Sequence, residues 1–349
     1  MVFSYYLYKY PYQLTWNTLN TLKKREEVIF YAEDLLDLVI FKPVQSYIKT
    51  LPIVVKNKKI KANISLVSAV QGTLPYFPKA LIMCRHACHK FPEKKILKFG
   101  LRHGAYHFKK LTNASNYNAF TKYFVTSQNE VDIARKCGIY STVAVGYPKL
   151  DPAFNGEISE QHLQKLSQSL NFSAHKKNVL FTATWDKSGM SAIDAWIHRL
   201  DEITENYNVM VTVHPWTSKH YKTKLLKNRN IQFISHPDIL PYLMLADCVV
   251  GDTSSIIAEA CALDKSILTF KTGQAKRSLS EIEQLIKSIS FQIDIQDDFF
   301  KNLEYAVAHS FEHHTQRHLA NQIMFDTLDG KAGERAAKII LEYLPELMI

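Results

Sequence analysis

Short apolar runs alternate with longer amphipathic ones along most of the chain. "EVIFYAE", "LPIVVK", "ISLVSA", "ALIMCRH" and "KILKFGL" each have the length and apolar density of a buried strand. "LLDLVIFKPVQSYIKTL" reads as a helix, or as a strand followed by one. "YFVTS" predicts a strand, "QNEVDIARKCG" a helix ending on Gly138 as a C-cap, and "TVAVGY" the next strand. A polar stretch of linker-like composition, residues 151–177, interrupts the pattern. It then restarts with strand "NVLFTATW", helix "AIDAWIHRLDEIT" and strands "YNVMVTVHP" and "NIQFIS". Helix "PDILPYLMLA", strand "DCVVGDTS", helix "SIIAEACALD" and strand "KSILTF" complete it. This cadence is that of parallel α/β units. The expected fold is α/β, with two Rossmann-like domains facing a central cleft. Residues 1–150 form the first domain, 151–177 a linker and 178–330 the second domain. Residues 331–349 form a terminal helix expected to pack back on the first domain. In such sheets ligands bind beyond the carboxyl ends of the strands.

The 349 residues carry 43 Lys and Arg against 33 Asp and Glu, a formal charge of +10. Such an excess attracts anions. With no RNA-binding aromatic signature, zinc-finger spacing or long basic tail, nucleic acid is set aside. Phosphate-bearing substrates and an anionic membrane face are preferred. The basic residues are dispersed, apart from small clusters at Lys56–Lys61, Lys94–Lys98 and Lys219–Arg229. Five cysteines without framework spacing read as reduced, cytosolic thiols. No apolar run approaches the ~20 residues of a membrane helix, and "MVFSYYLYKYPYQLTW" lacks the features of a signal peptide. Its aromatic content suits a first strand, a packed arm or an element at a membrane interface. The expected location is cytoplasmic, peripherally attached to the inner face of the membrane.

Five polar clusters end predicted strands: "RHGAYH" (102–107), "GYPKLD" (146–151), "TATWD" (182–186), "HPW" (214–216) and "GDTSS" (251–255). In the last, Asp252, Thr253, Ser254 and Ser255 sit where a strand hands over to a helix. Hydroxyls, free amides and the helix dipole there favour a diphosphate. Glu259, one turn on, is placed to accept from a ribose hydroxyl. The same residues also make a capping box. Thr184 belongs to the same strand-end edge. His214 ends a strand and can donate to a phosphate oxygen, or be an exposed turn histidine. His103 can serve as a general base near neutral pH, and Gly104 permits close backbone approach. Arg102, Lys109 and Lys110 add positive charge beside it. Tyr147, Pro148 and Lys149 are further cleft candidates. "CRHACH" (84–89) lacks a second ligand pair for a metal. No metal or cofactor is expected.

Taken in order, these residues resemble the CDP-glycerol glycerophosphotransferase family of teichoic acid and capsule synthesis. Its members carry "WHG" before a basic segment, then a strand ending in Ser, "GYPRxD", "YAPTWR", an "HP" strand end, and "TDYSS" before an acidic residue. The counterparts here are "RHGAYHFKK", "YFVTSQNE", "GYPKLD", "FTATWD", "VTVHPW" and "GDTSSIIAE", spanning about Lys98 to Phe270. The resemblance implies a GT-B architecture and transfer of a phosphopolyol unit from a CDP-activated donor to a glycan or lipid-linked acceptor, releasing CMP. It implies that His103 is the base and that His214 meets a donor phosphate. Arg102 stands where the family has an aromatic, Asp186 where a basic residue is common, and Gly251 and Thr253 depart from "TDYSS". "SSIIAEA" also resembles nucleotide-sugar enzymes, including the UDP-N-acetylglucosamine 2-epimerases. A GT-B glycosyltransferase and a non-catalytic nucleotide-sugar binder are therefore the alternative readings.

Overall fold

The computed structural model describes residues 3–22, 24, 26–55, 69–70, 75–104, 112–273 and 280–349. The chain divides into two compact units. One comprises Met1–His103, Thr112–Asp151 and Lys331–Ile349, the other Gly104–Leu111 and Pro152–Gly330.

The first unit holds a parallel sheet of seven strands: β1 (Glu26–Ala32), β2 (Ile53–Val55), β3 (Ala69–Val70), β4 (Pro78–Met83), β5 (Leu97–Gly100), β6 (Lys122–Val125) and β7 (Thr142–Ala144). Their spatial order is β3-β2-β1-β4-β5-β6-β7. Val28 to Ala32 are all buried, because helices cover both faces of a parallel sheet. The helix Ala332–Tyr343 belongs to this unit. Its Ala336, Ala337 and Ile340 share one core with Ile40, Phe41 and Val44 of the helix Leu35–Gln45. The two backbones run so close that a Cβ on Gly333 would lie 2.5 Å from the Pro43 carbonyl oxygen.

The segment "FSYYLYKYPYQLTWNTLNT" is a helix, Phe3–Thr21, not the strand its aromatics suggest. The four-residue spacing of Tyr8, Tyr12 and Trp16 explains why, since it aligns the three on one helical face. Tyr12 and Trp16 are buried. The Tyr12 hydroxyl donates to the Tyr76 carbonyl and Trp16 Nε1 donates to the Pro78 carbonyl at 2.8 Å.

The second unit holds six parallel strands: β8 (Lys177–Ala183), β9 (Tyr207–Val213), β10 (Gln232–Phe233), β11 (Cys248–Gly251), β12 (Ser266–Phe270) and β13 (Phe291–Ile293), in the order β10-β9-β8-β11-β12-β13. Phe181, Trp196, Val211, Val250, Leu268 and Phe299 lie in its core. In each sheet the direction of winding reverses once, between β1 and β4 in the first and between β8 and β11 in the second. Such switch points open a crevice at the carboxyl ends of the strands.

Candidate functional site

At the switch point of the second unit, β11 ends on Gly251. A Cβ there would come within 2.8 Å of Thr182 Cγ2, so only glycine lets the strand pass. The next residue, Asp252, turns its carboxylate inward. It accepts from the amides of Thr184 (2.9 and 3.1 Å), Ala192 (3.1 Å) and Ser254 (3.0 Å). Burial pushes the Asp252 carboxyl up, and the amides of Ala192, Thr184 and Ser254 oppose that shift. One side chain thus ties the turn after β11 to the loop after β8. In that loop Ser191 Oγ donates to the Thr184 carbonyl at 2.8 Å, and Asp186 accepts from Ser218 N at 2.8 Å and Ser218 Oγ at 2.5 Å. The second pair ties the β8 loop to the loop after β9, so three strand ends form one hydrogen-bonded frame.

On that frame Ser254 caps the helix Ser255–Ala262, its Oγ accepting from Ile256 N at 3.4 Å. Ser255 is exposed at the first turn, and the Thr253 hydroxyl donates to Met190 Sδ at 3.8 Å. The amides and dipole of a helix start attract a negative group. His214 follows β9 directly. Its Nδ1 accepts from Trp216 N at 3.1 Å, so in the neutral ring the proton sits on Nε2, a donor. Trp216 is 70% exposed and stands edge-on to both His214 and Trp185. Gly104 belongs to this unit as well, and a Cβ on it would lie 3.3 Å from Ser255 Oγ. Any other residue there would crowd that hydroxyl.

In the first unit, the switch point carries a second arrangement. The buried Asp37 carboxylate accepts from the amides of Glu33 (2.9 Å) and Asp34 (3.1 Å) and pairs with Arg85 Nε at 3.2 Å, just past β4. His103 follows β5, the neighbouring strand. Its ring is reached by solvent, yet its crowded surroundings, then the charges of Arg85 and Arg102, hold its pKa well below the usual imidazole range. The backbone of Cys84 opposes that shift. A neutral imidazole carries one donor and one acceptor nitrogen, so the ring can take up a proton at neutral pH.

Several expected site residues are placed elsewhere. Arg102 is buried and bonded to Glu130 Oε1 at 2.8 Å, while Glu130 Oε2 accepts from the Thr126 amide and hydroxyl. It anchors the strand end behind His103 and does not line a cleft. Tyr147, Pro148 and Lys149 are buried too. Their segment turns at Gly146, φ +88°, and delivers Asp151 to the start of the helix Ala332–Tyr343, where it accepts from the amides of Ala332 and Gly333. "GYPKLD" therefore builds the first unit's interior. Asp252 is buried and spends its oxygens on the frame. Glu259 is 2% exposed, its carboxylate drawn into the second unit because that face of the helix packs inward. His107, Lys109, Lys110 and the Lys56–Lys61 cluster lie outside the described residues. Arg85 and the Asp186–Ser218 pair were not anticipated, although "CRHACH" contained the signal of a basic residue at a strand end. Among the described residues, no three His, Cys, Asp or Glu side chains are grouped to share a cation, and no helix is long and apolar enough to cross a membrane.

Residues 95–342 match the model of the CDP-glycerol:poly(glycerophosphate) glycerophosphotransferase family. The teichoic acid glycerol-phosphate primase of Bacillus subtilis is 26% identical over 53% of this chain and 45% of its own length. The teichoic acid poly(ribitol-phosphate) polymerase of Bacillus spizizenii is 23% identical over 66% of this chain and 38% of its own. The chain spans less than half the length of the curated relatives it matches. Among solved structures, the wall teichoic acid polymerase TagF superposes over 97% of this chain and 98% of its own, with a TM-score of 0.71 at 13% identity. A UDP-N-acetylglucosamine 2-epimerase from Listeria monocytogenes superposes over 92% of this chain and 97% of its own, with a TM-score of 0.61 at 12% identity. These likenesses show the fold: two Rossmann-like sheets of the GT-B class.

Proposed function

The chain belongs to the CDP-glycerol:poly(glycerophosphate) glycerophosphotransferase family, and on that premise we propose that it moves a phosphopolyol unit from a CDP-activated donor to a hydroxyl of a glycan or lipid-linked acceptor. The acceptor oxygen attacks the phosphorus that carries the polyol. The bond from that phosphorus to the bridging oxygen breaks, and CMP leaves with that oxygen. The acceptor proton passes to His103. Thr253, Ser254, Ser255 and the first helical turn behind them hold the diphosphate. His214 donates from Nε2 to a phosphate oxygen and stabilises charge on the departing nucleotide. The observation that carries this reading is the frame built by Asp252, which presents the capped helix start beside the His214 loop at the switch point.

Donor binding tests it. CDP-glycerol or CDP-ribitol should raise the melting temperature, because a ligand of the native state stabilises it by mass action. UDP- and GDP-sugars should not. Replacing both Ser254 and Ser255 by Ala should weaken donor binding by about 1–3 kcal/mol in calorimetry, the usual cost of hydrogen bonds lost to a charged group. Ser254→Ala also removes a helix cap worth about 1 kcal/mol of stability, so Ser255→Ala alone isolates the ligand contact. Unchanged affinity in both folded variants would move the site elsewhere.

Attachment to an anionic membrane face belongs to the same reading. Leu7, Tyr10 and Leu14 recur at i, i+3 and i+7 on the helix Phe3–Thr21 and are 64, 62 and 71% exposed, opposite the buried Tyr12 and Trp16. With a chain charge of +10, this apolar stripe suits an interfacial helix. Co-sedimentation with phosphatidylglycerol vesicles should occur at low salt and decline as salt screens exposed charges, over ~10 Å at 0.1 M. Leu7→Glu combined with Leu14→Glu should reduce it further. No co-sedimentation at low salt, or binding that ignores both salt and the variant, would refute the attachment.

A further inference from the structure

Between Glu205 and Asp238 the chain contains no Asp or Glu. Within that interval lies the helix Lys219–Lys227, which opens five residues after His214. Its inward side is already matched. Leu225 is buried, Tyr221 donates to Asp194 at 2.5 Å, and just past the helix Asn228 donates to Asp201 at 2.9 Å. The nearby acids are thus engaged by neutral partners. Its outward side carries Lys219, His220, Thr223, Lys224 and Lys227, which line an open groove of about 560 Å³. No acidic side chain pairs with these lysines among the described residues. Lys224 Nζ meets only a histidine ring, His198 Nδ1, at 2.7 Å. Lys219, Lys224 and Lys227 lie five and three residues apart, so their charges step along the axis by about 7.5 and 4.5 Å at ~1.5 Å per residue. The exposed Trp216 stands edge-on to His214, three residues before the helix begins.

We infer that this helix face is a docking ladder for a linear phosphodiester polymer, the polyanion that repeated transfer would generate. The inference rests on the function proposed above. The charge is of one sign, spread along about 12 Å of helix and, among the described residues, not paired with acidic side chains, which suits a ligand with several negative groups in a row better than a single small anion. Its place immediately after the His214 strand end puts the ladder on the same loop system as the transfer chemistry. A chain held there would keep its terminus from diffusing away between additions, raising the effective concentration of acceptor.

The test is a Lys219→Glu, Lys224→Glu, Lys227→Glu variant, none of whose positions contributes to the proposed donor or base machinery. A Lys→Gln set guards against effects of charge reversal on folding. A fluorescent synthetic glycerol-phosphate oligomer is titrated against each protein across a salt series. Wild type should bind with a steep salt dependence. The Glu variant should bind at least ~10-fold more weakly, and its log–log salt slope should fall by about 2, three phosphate contacts at ~0.7 each. CMP release with a single-unit acceptor should be unchanged, while products made from an oligomeric acceptor should be shorter. Unchanged oligomer affinity in folded variants overturns the inference. So does loss of phosphatidylglycerol vesicle binding with oligomer binding intact, which would make this a membrane face. Tighter binding of a matched single-stranded DNA than of the oligomer would make it a nucleic-acid face and also overturn it. The binding arm requires no turnover. A protein that binds the oligomer but releases no CMP therefore refutes the proposed reaction and leaves the ladder standing.

Discussion

His103→Ala is expected to lower kcat by roughly 10²-fold or more while leaving donor affinity near wild type, the signature of a lost general base. The reason is local. The surroundings, then the charges of Arg85 and Arg102, favour the neutral ring, which keeps one nitrogen able to accept a proton. The depressed pKa gives the claim a pH dependence with a definite sign. An ordinary imidazole protonates as pH falls through ~6.5. A ring held below that range stays neutral, so kcat/KM should not drop over that interval on account of His103. An acid limb centred near 6.5 that disappears in His103→Ala would show an unshifted base. His214→Ala should behave differently and reduce both turnover and donor affinity, because its proton faces a phosphate. A His103→Ala protein with a normal melting curve and wild-type turnover would remove the base assignment altogether.

Asp252→Ala should have the largest effect on stability. Three backbone amides lose a buried charged acceptor at once. At ~1.5–3 kcal/mol for each bond to a charged group, with partial relaxation, a loss of about 3 kcal/mol or more is expected. For a unit of this size that corresponds to a fall of about 6–12 °C in melting temperature. Donor affinity should fall with it, since the β8 and β11 loops would no longer be tied. Asp252→Asn separates this role from direct contact with a ligand. It keeps one carbonyl acceptor but turns an NH2 toward the donating amides, so it should be destabilised even without ligand. A ligand-free Asn variant that melts like wild type but fails to bind donor would return Asp252 to the donor contacts.

The alternation of apolar runs made both parallel sheets legible, because strands buried on two faces must be continuously apolar. The strand ends were legible for the same reason, and so were the clusters that follow them. What the sequence left hidden was direction. "GYPKLD" and "GDTSS" both follow strands and both carry an Asp, yet Asp151 points into a helix start of the first unit and Asp252 into a ring of three amides. Which way such a carboxylate turns depends on amides 60 to 180 positions away in the chain, as with Ala192 for Asp252 and Ala332 for Asp151. Arg102 shows the same, since its partner Glu130 lies 28 positions on, in the helix Gln128–Lys136. The N-terminal helix was obscured because aromatic residues favour strands on average, while their four-residue spacing carried the better signal.

The most direct test of the central claim is the identity of the nucleotide released during turnover. Purified protein with CDP-glycerol or CDP-ribitol and a hydroxyl-bearing acceptor is followed by chromatography of the nucleotides and by phosphorus NMR of the product. The account predicts CMP in equal amount to new phosphodiester in the acceptor, and neither in His103→Ala at matched time. Release of UDP or another nucleoside diphosphate from a nucleotide sugar, with a glycosidic bond formed and no phosphodiester, would contradict it.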